Sequence, residues 1–297
     1  MTADLSKLLR AQNFNSAAEA DAFVQRLLNE TGGELPPPAV EETPLEQAQD
    51  LMYTAWDLDD PEERVTIAEL ALGRSADCAD ALSLLGDEKA ASHVEARVYF
   101  EAAVHAGRRA LGEKAFEEDV GHFWGIMETR PYMRARLHLA HTEWALGNRD
   151  AAIGHLQDML RLNPGDNQGI RFALLGMSVE ARDRDAVENI LDAYPDEDNC
   201  DWLYDKALWL IARGASQQEV ALAIDDAIEE NPFAPQFILG RKALPREAPQ
   251  YVEWRSEGEA GAYAMEARRR WVSTIDALEH LRRGLARRRK SRGKDSR

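Results

Sequence analysis

Three histidines fall close together in the chain: His138 and His141, three apart and therefore on one helix face, and His155 on the next helical stretch. Three imidazoles are a possible ligand set for Zn²⁺. No HExxH accompanies them, and no cysteine or carboxylate stands at a diagnostic spacing, so the expectation is solvated or groove histidines with no bound metal or other cofactor. A second candidate is Gly121-His122-Phe123-Trp124-Gly125, an aromatic cluster between two glycines with Glu118, Asp119 and Glu128 nearby. A histidine beside a carboxylate can exchange protons with a substrate. The other reading of this stretch is a hydrophobic plug over a break in the fold. Nucleophile-elbow, phosphate-loop and dinucleotide motifs are absent from the sequence. The runs Glu117-Glu118-Asp119 and Asp196-Glu197-Asp198 lack the alternating oxygen ligands of a calcium loop and read as solvated charge. These residues together predict a binding protein and no enzyme. The alternative is an enzyme or regulatory subunit with its site near residues 121–125.

Composition narrows the partner. Of 297 residues, 44% are hydrophobic and 30% charged, enough for a substantial core beneath a solvated surface. The formal charge is −17, yet the segment from Arg282 to Arg297 holds nine Lys or Arg and one Asp, so the remaining body stands near −25. An acidic body repels phosphate backbones, which leaves nucleic acid only the basic C-terminal tail as a contact. That tail reads as a disordered solubilising end, a contact for nucleic acid or anionic lipid, or a strap folding back on the chain's own acidic face. Cys78 and Cys200 form no disulfide framework, no signal peptide opens the sequence, and no apolar run approaches the ~20 residues of a membrane span. The expectation is a soluble cytoplasmic protein.

The elements that would position these residues repeat at a fixed period. Met133 to Asp166 is a 34-residue unit with Leu139 and Ala140 at its positions 7 and 8, Gly147 at 15, Ala152 at 20, Leu156 at 24, Met159 at 27 and Pro164 at 32. Small residues at 8 and 20 let two helices approach, glycine near 15 permits a tight turn, and proline at 32 stops the second helix. Units follow from Asn167, where Pro195 ends the second helix early, and from Asp201. Asn163-Pro164 and Asn231-Pro232 lie two periods apart. Weaker helix pairs run from Leu45 to Ala76 and from Asp77 to about Arg109, leaving residues 110–131 as an insertion. The domain reading is an N-terminal helical segment and linker (1–43), an array (44–235), a C-terminal capping segment (236–285) and a basic disordered tail (286–297). Within these, Ser16 to Asn29 suits an amphipathic helix, residues 32–38 a breaker, and Glu257 to Leu285 a single capping helix.

These units resemble the tetratricopeptide repeat. The segments Glu128 to Arg136 and Leu162 to Arg171 further resemble bacterial repeat proteins grouped with the suppressor-of-tumorigenicity-7 family. Position 4 of the best copy departs from the pattern, with Arg136 in place of a large aromatic. The resemblance implies an all-α solenoid whose first helices line a concave groove through positions 2, 5, 9, 12 and 13. Mapped here, the groove residues include Arg134, His141, Trp144, Arg171, Trp202, Trp209 and Arg213, with Tyr53 and Trp56 from the first copy. Tryptophan and arginine are the types that anchor interfaces, and such a groove could hold a protein or peptide with acidic or C-terminal carboxylate groups. For each tryptophan the competing reading is core packing between repeats.

Overall fold

A computed structural model describes residues 17–30, 42–247, 249 and 251–295. The breaker expected at 32–38 lies outside the described residues. Every regular element among the described residues is a helix. They are α1 (Ala17–Glu30), α2 (Pro44–Trp56), α3 (Pro61–Arg74), α4 (Ala79–Lys89), α5 (His93–Glu118), α6 (Arg130–Ala145), α7 (Arg149–Leu162), α8 (Ile170–Ala181), α9 (Arg184–Ala193), α10 (Cys200–Ala212), α11 (Gln217–Glu230), the short α12 (Ala234–Ile238), α13 (Glu257–Ser273) and α14 (Ala277–Asp295).

Local sequence sets the starts. Thr43 and Glu46 form a capping box ahead of Pro44, and Ser216 and Glu219 repeat it at α11. Asp60 caps α3 before Pro61, and Ser92, Asp183, Asn199 and Ser256 cap α5, α9, α10 and α13. The turns within pairs need left-handed backbone. Gly147 (φ 85) and Gly214 (φ 72) supply it, whereas the degenerate middle copy forces Arg182 to φ 59.

Consecutive helices pack as pairs, α2 with α3 through α10 with α11. First helices also touch first helices, α2 on α4, α4 on α6, α8 on α10 and α10 on α13. The expected single capping helix is corrected: it breaks at Thr274–Asp276, where Asp276 takes φ 62. The resulting α13 lies on α10 and α14 lies on α11, so the cap is itself a further helix pair. The stretch expected to be disordered from residue 286 begins as helix, since α14 runs to Asp295. Its first turn there folds onto the acidic body, with Arg287 paired to Asp225 at 2.8 Å and donating to the Ala221 carbonyl at 3.1 Å.

The core divides into two blocks. A small one joins Ala48, Met52, Ala68 and Ala71 to Leu84 and Leu85 of α4. A large one runs from Phe123 and Tyr132 to Leu281. Between them lie Ala96, Phe100 and Leu139.

Candidate functional site

Helix α6 carries one residue per turn toward the first-helix side of the stack: Arg134, then Leu137 and His138, then His141, then Trp144. Past its middle this row faces a cleft of about 530 Å³ between α6, α8, α10 and α13. Leu137, Trp144, Phe172 and Met177 give it apolar walls, and His141, Glu180, Asp201, Glu266 and Arg270 give it polar groups. An adjoining hollow of about 690 Å³ shares Leu137 and His141 and opens toward Asp87, His93 and His138 at the α4–α5 elbow.

The floor is a buried polar chain. Arg270 donates from Nη2 and Nε to the two oxygens of Asp205 at 2.7 and 3.0 Å, and Tyr263 donates its hydroxyl to Asp205 at 2.8 Å. Trp271 Nε1 donates in turn to the Tyr263 hydroxyl at 2.8 Å. The α8 backbone must come close for this to fit: a Cβ on Gly176 would lie 2.9 Å from Arg270 Nη2 and 3.1 Å from Asp205 Oδ2. Because Arg270 is committed to Asp205, its charge leaves the rest of the cleft uncompensated. Asp201, in the first turn of α10, lines it half-buried and has no hydrogen bond or ion pair among the described residues. Burial, with the charges of Asp205 and Glu266 added, pushes the Asp201 carboxyl up to about 7, while Arg270 opposes the shift. His141 opens to the cleft yet has protein on the other sides. That desolvation holds its imidazole below the ordinary value, with Glu266 pulling the other way. The cleft is apolar-walled and acidic.

The residues expected in one groove divide among five settings. His141 and Trp144 line the cleft. Tyr53, Trp56 and Arg134 meet farther along the stack, the two rings 5.6 Å apart and the Arg134 guanidinium 5.0 Å from the Trp56 ring. There Arg134 Nε donates to Asp80 at 2.9 Å, and Gln49 donates to the same carboxylate at 2.7 Å, tying α2, α4 and α6. Arg171 is occupied by neighbours in its own part of the stack: it pairs with Asp166 and Glu197, each at 2.8 Å, and its guanidinium stacks 4.2 Å from the Phe172 ring. Asp166 also accepts from the backbone N–H groups of Ile170 and Arg171, so the turn before α8 consumes this arginine structurally. Arg213 sits at the end of α10 beside Glu219, away from the cleft. Trp202 and Trp209 belong to the core at 2% and 5% exposure, which corrects their assignment to a groove surface. Trp202 packs edge-on against Phe172 and Tyr194.

Asp201, Glu266 and Arg270 were not legible as site residues. Asp201 is one place from Trp202, at position 2 of its unit, which is core, and the other two lie in the segment read as a cap. The remaining candidates separate too. His138 pairs with Asp87 at 3.3 Å and stacks on Phe100, while His155 lies 3.3 Å from Arg136 Nε. Among the described residues no group of histidine, cysteine and carboxylate side chains converges as a metal site. In the insertion Phe123 is fully buried against Phe116 and Tyr132, Trp124 is partly buried, and His122 is exposed. Gly121 and Phe123 donate their backbone N–H groups to the Leu162 carbonyl at 2.9 and 3.2 Å, latching the loop onto the end of α7. Among the described residues no helix is long and apolar enough to cross a membrane.

Comparison with known proteins gives a consistent result. The family model described as ST7 protein matches residues 39–159, from just before α2 into α7. The suppressor of tumorigenicity 7 protein-like of Gallus gallus is 26% identical over 259 residues, and that of Homo sapiens is 26% identical over the same length. The protein ST7 homolog of Drosophila melanogaster is 26% identical over 257 residues. These alignments take in 80%, 80% and 78% of this chain but only 46%, 45% and 47% of the relatives, so the chain spans less than half the length of the curated proteins it matches. Family model and relatives together support kinship with the ST7 family.

Proposed function

We propose that this chain is a tetratricopeptide-type repeat module of the ST7 kind, working in the cytoplasm as an adaptor or scaffold. It binds a protein or peptide partner in the cleft between α6, α8, α10 and α13 and catalyses no reaction of its own. One observation carries the reading: a cleft open on one side, walled by Leu137, Trp144, Phe172 and Met177, at the seam where first helices stack. Concave apolar clefts with a few placed polar groups are the ordinary form of a binding site. The stacking of first helix on first helix supports the solenoid reading, and the closed plug around Phe123 supports a structural role for the insertion.

The test is a photo-crosslinking residue placed at Met177, in the cleft, and separately at Leu222, which is 63% exposed on α11. In the source cell the Met177 probe is expected to give discrete protein adducts that the Leu222 probe does not. Equal adducts from both positions, or none from Met177, would overturn the reading.

A further inference from the structure

The binding reading leaves open the chemistry of the occupant, and the charges in the cleft point opposite to the arginine-lined groove expected from the sequence. Of the three groove arginines, Arg134 and Arg171 are paired within the chain and Arg213 lies elsewhere. What remains inside is Glu180, Asp201 and Glu266, with one cation, Arg270, already committed to Asp205. We propose, resting on the binding-module reading, that the cleft receives a lysine or arginine side chain of a partner peptide. Its cationic head pairs with Asp201 and Glu266, and its aliphatic stem lies against Trp144, Phe172 and Met177.

Three arguments carry this. An acidic cluster alone would be ordinary surface, but here the carboxylates stand in an apolar-walled cleft. Asp201, half-buried against those apolar walls, has no donor among the described residues, so its carboxylate is open to a cationic partner from outside the chain. Long basic side chains also match the geometry, because their stems prefer apolar walls while the head seeks charge. An acidic peptide would instead bring like charge against Glu180, Asp201 and Glu266.

The occupant then competes with a proton. The groups facing Asp201 are Asp205 on its own helix and Glu259, Glu266 and Arg270 from α13, and His141 and Glu180 share the cleft from α6 and α8. Asp205 is held by Arg270 and Tyr263, and Glu259 accepts from Asn231 at 2.9 Å, so neither is free to take the ligand's charge. With the Asp201 carboxyl near 7, about one tenth of the protein is ionised there at pH 6 and about nine tenths at pH 8. Affinity for a cation should therefore rise about tenfold across that interval. His141 is held below its ordinary value by desolvation, so it gains less charge across this interval than a free imidazole would.

The experiment offers the immobilised full chain two pools of randomised decapeptides, identical except for a central Arg or a central Glu, at pH 6 and pH 8. The Arg pool is expected to bind at least tenfold more tightly than the Glu pool at pH 8 and to lose about tenfold at pH 6. Asp201→Asn, near-isosteric and relieved of a buried charge, should melt no lower than the parent at either pH yet lose both the preference and the pH dependence. Equal pools, a preference for Glu, or an unchanged preference in Asp201→Asn overturns the cationic ligand; if Met177 still cross-links, the binding-module reading survives. Absence of both peptide binding and Met177 adducts removes the two together. A last arm substitutes Glu for Arg289, Lys290 and Arg292. If that raises Arg-pool affinity more than about threefold, the occupant is the chain's own basic segment and the partner peptide is excluded.

Discussion

Replacing Arg270 with methionine tests whether the floor of the cleft is held electrostatically. Arg270 is 8% exposed and Asp205 1%, and the two share hydrogen bonds at 2.7 and 3.0 Å. Methionine keeps most of the aliphatic stem, so packing changes little and the loss is mainly one of charge. Asp205 would retain only the Tyr263 hydroxyl, donated at 2.8 Å. Stranding one member of a buried pair costs about 3–5 kcal/mol, and the retained stem places the expectation near the lower figure, at about 3 kcal/mol. Removing both charges should cost far less, so Asp205→Asn/Arg270→Met is expected within about 1 kcal/mol of the parent, with a coupling of at least about 2 kcal/mol between the sites. Urea unfolding followed by tryptophan fluorescence and circular dichroism measures the totals. Because stacked repeats need not unfold in one step, amide exchange in α10 and α13 locates the loss. An Arg270→Met protein within about 1 kcal/mol of the parent, or a double variant no better than the single one, would refute the argument.

Three further outcomes follow from the same geometry. The folded chain holds the Asp201 proton up to about 7, whereas the ordinary value is 3.8. Native protein is therefore destabilised as pH rises through that window, and Asp201→Asn should be close to neutral at pH 4. At pH 8 it should stabilise by about 2 kcal/mol, roughly half the full shift after allowance for the side facing solvent; an offset in melting temperature that is the same at every pH rejects this. A Cβ on Gly284 would run into Ile224 and lie 2.9 Å from Ile228, so Gly284→Val should lift α14 from α11 at about 1–3 kcal/mol, seen as faster amide exchange confined to those helices. Phe123→Ala should cost about 3–5 kcal/mol, while His122→Ala next door, on the exposed side of the plug, should fall within about 0.5 kcal/mol by thermal melts.

How much of this was legible depends on which physical signal each feature left. The helices and their pairing were, because caps, stop residues and small residues recur at a period: Leu162 and Glu230 close their helices two periods apart, each before a buried asparagine and a proline. The plug at Phe123 was legible as an aromatic run in a gap between units. What the period could not show was which side of a turn a large residue faces once a neighbour's shape intervenes. Trp202 and Trp209 occupy unit positions 2 and 9, expected to face the groove, yet α8 and α13 cover that part of α10 and take both rings into the core. Arginine was harder still. Type and position suggested free cations at Arg134 and Arg171, but their partners, Asp80 and Glu197, are 54 and 26 residues distant in sequence and emerge only when the chain is folded. The acidic lining failed to register for the same reason: Asp201 and Glu266 come from different units, and a row of charged residues on separate helices has no spacing to read.

The split core has a mechanical consequence. In a stack whose layers lean only on their neighbours, failure spreads from the weakest joint. Most joints here are greasy, but the one between the first two pairs, α2–α5, and the rest combines the small Ala96, Phe100 and Leu139 contact with the Asp80–Arg134 clamp. Under tension the first pairs should peel away as one piece before the larger block yields, and raised salt should ease that release by screening the clamp. The stretch matched by the ST7 family model, residues 39–159, straddles this joint. Its likeness to longer relatives therefore includes the place where such a rod would flex.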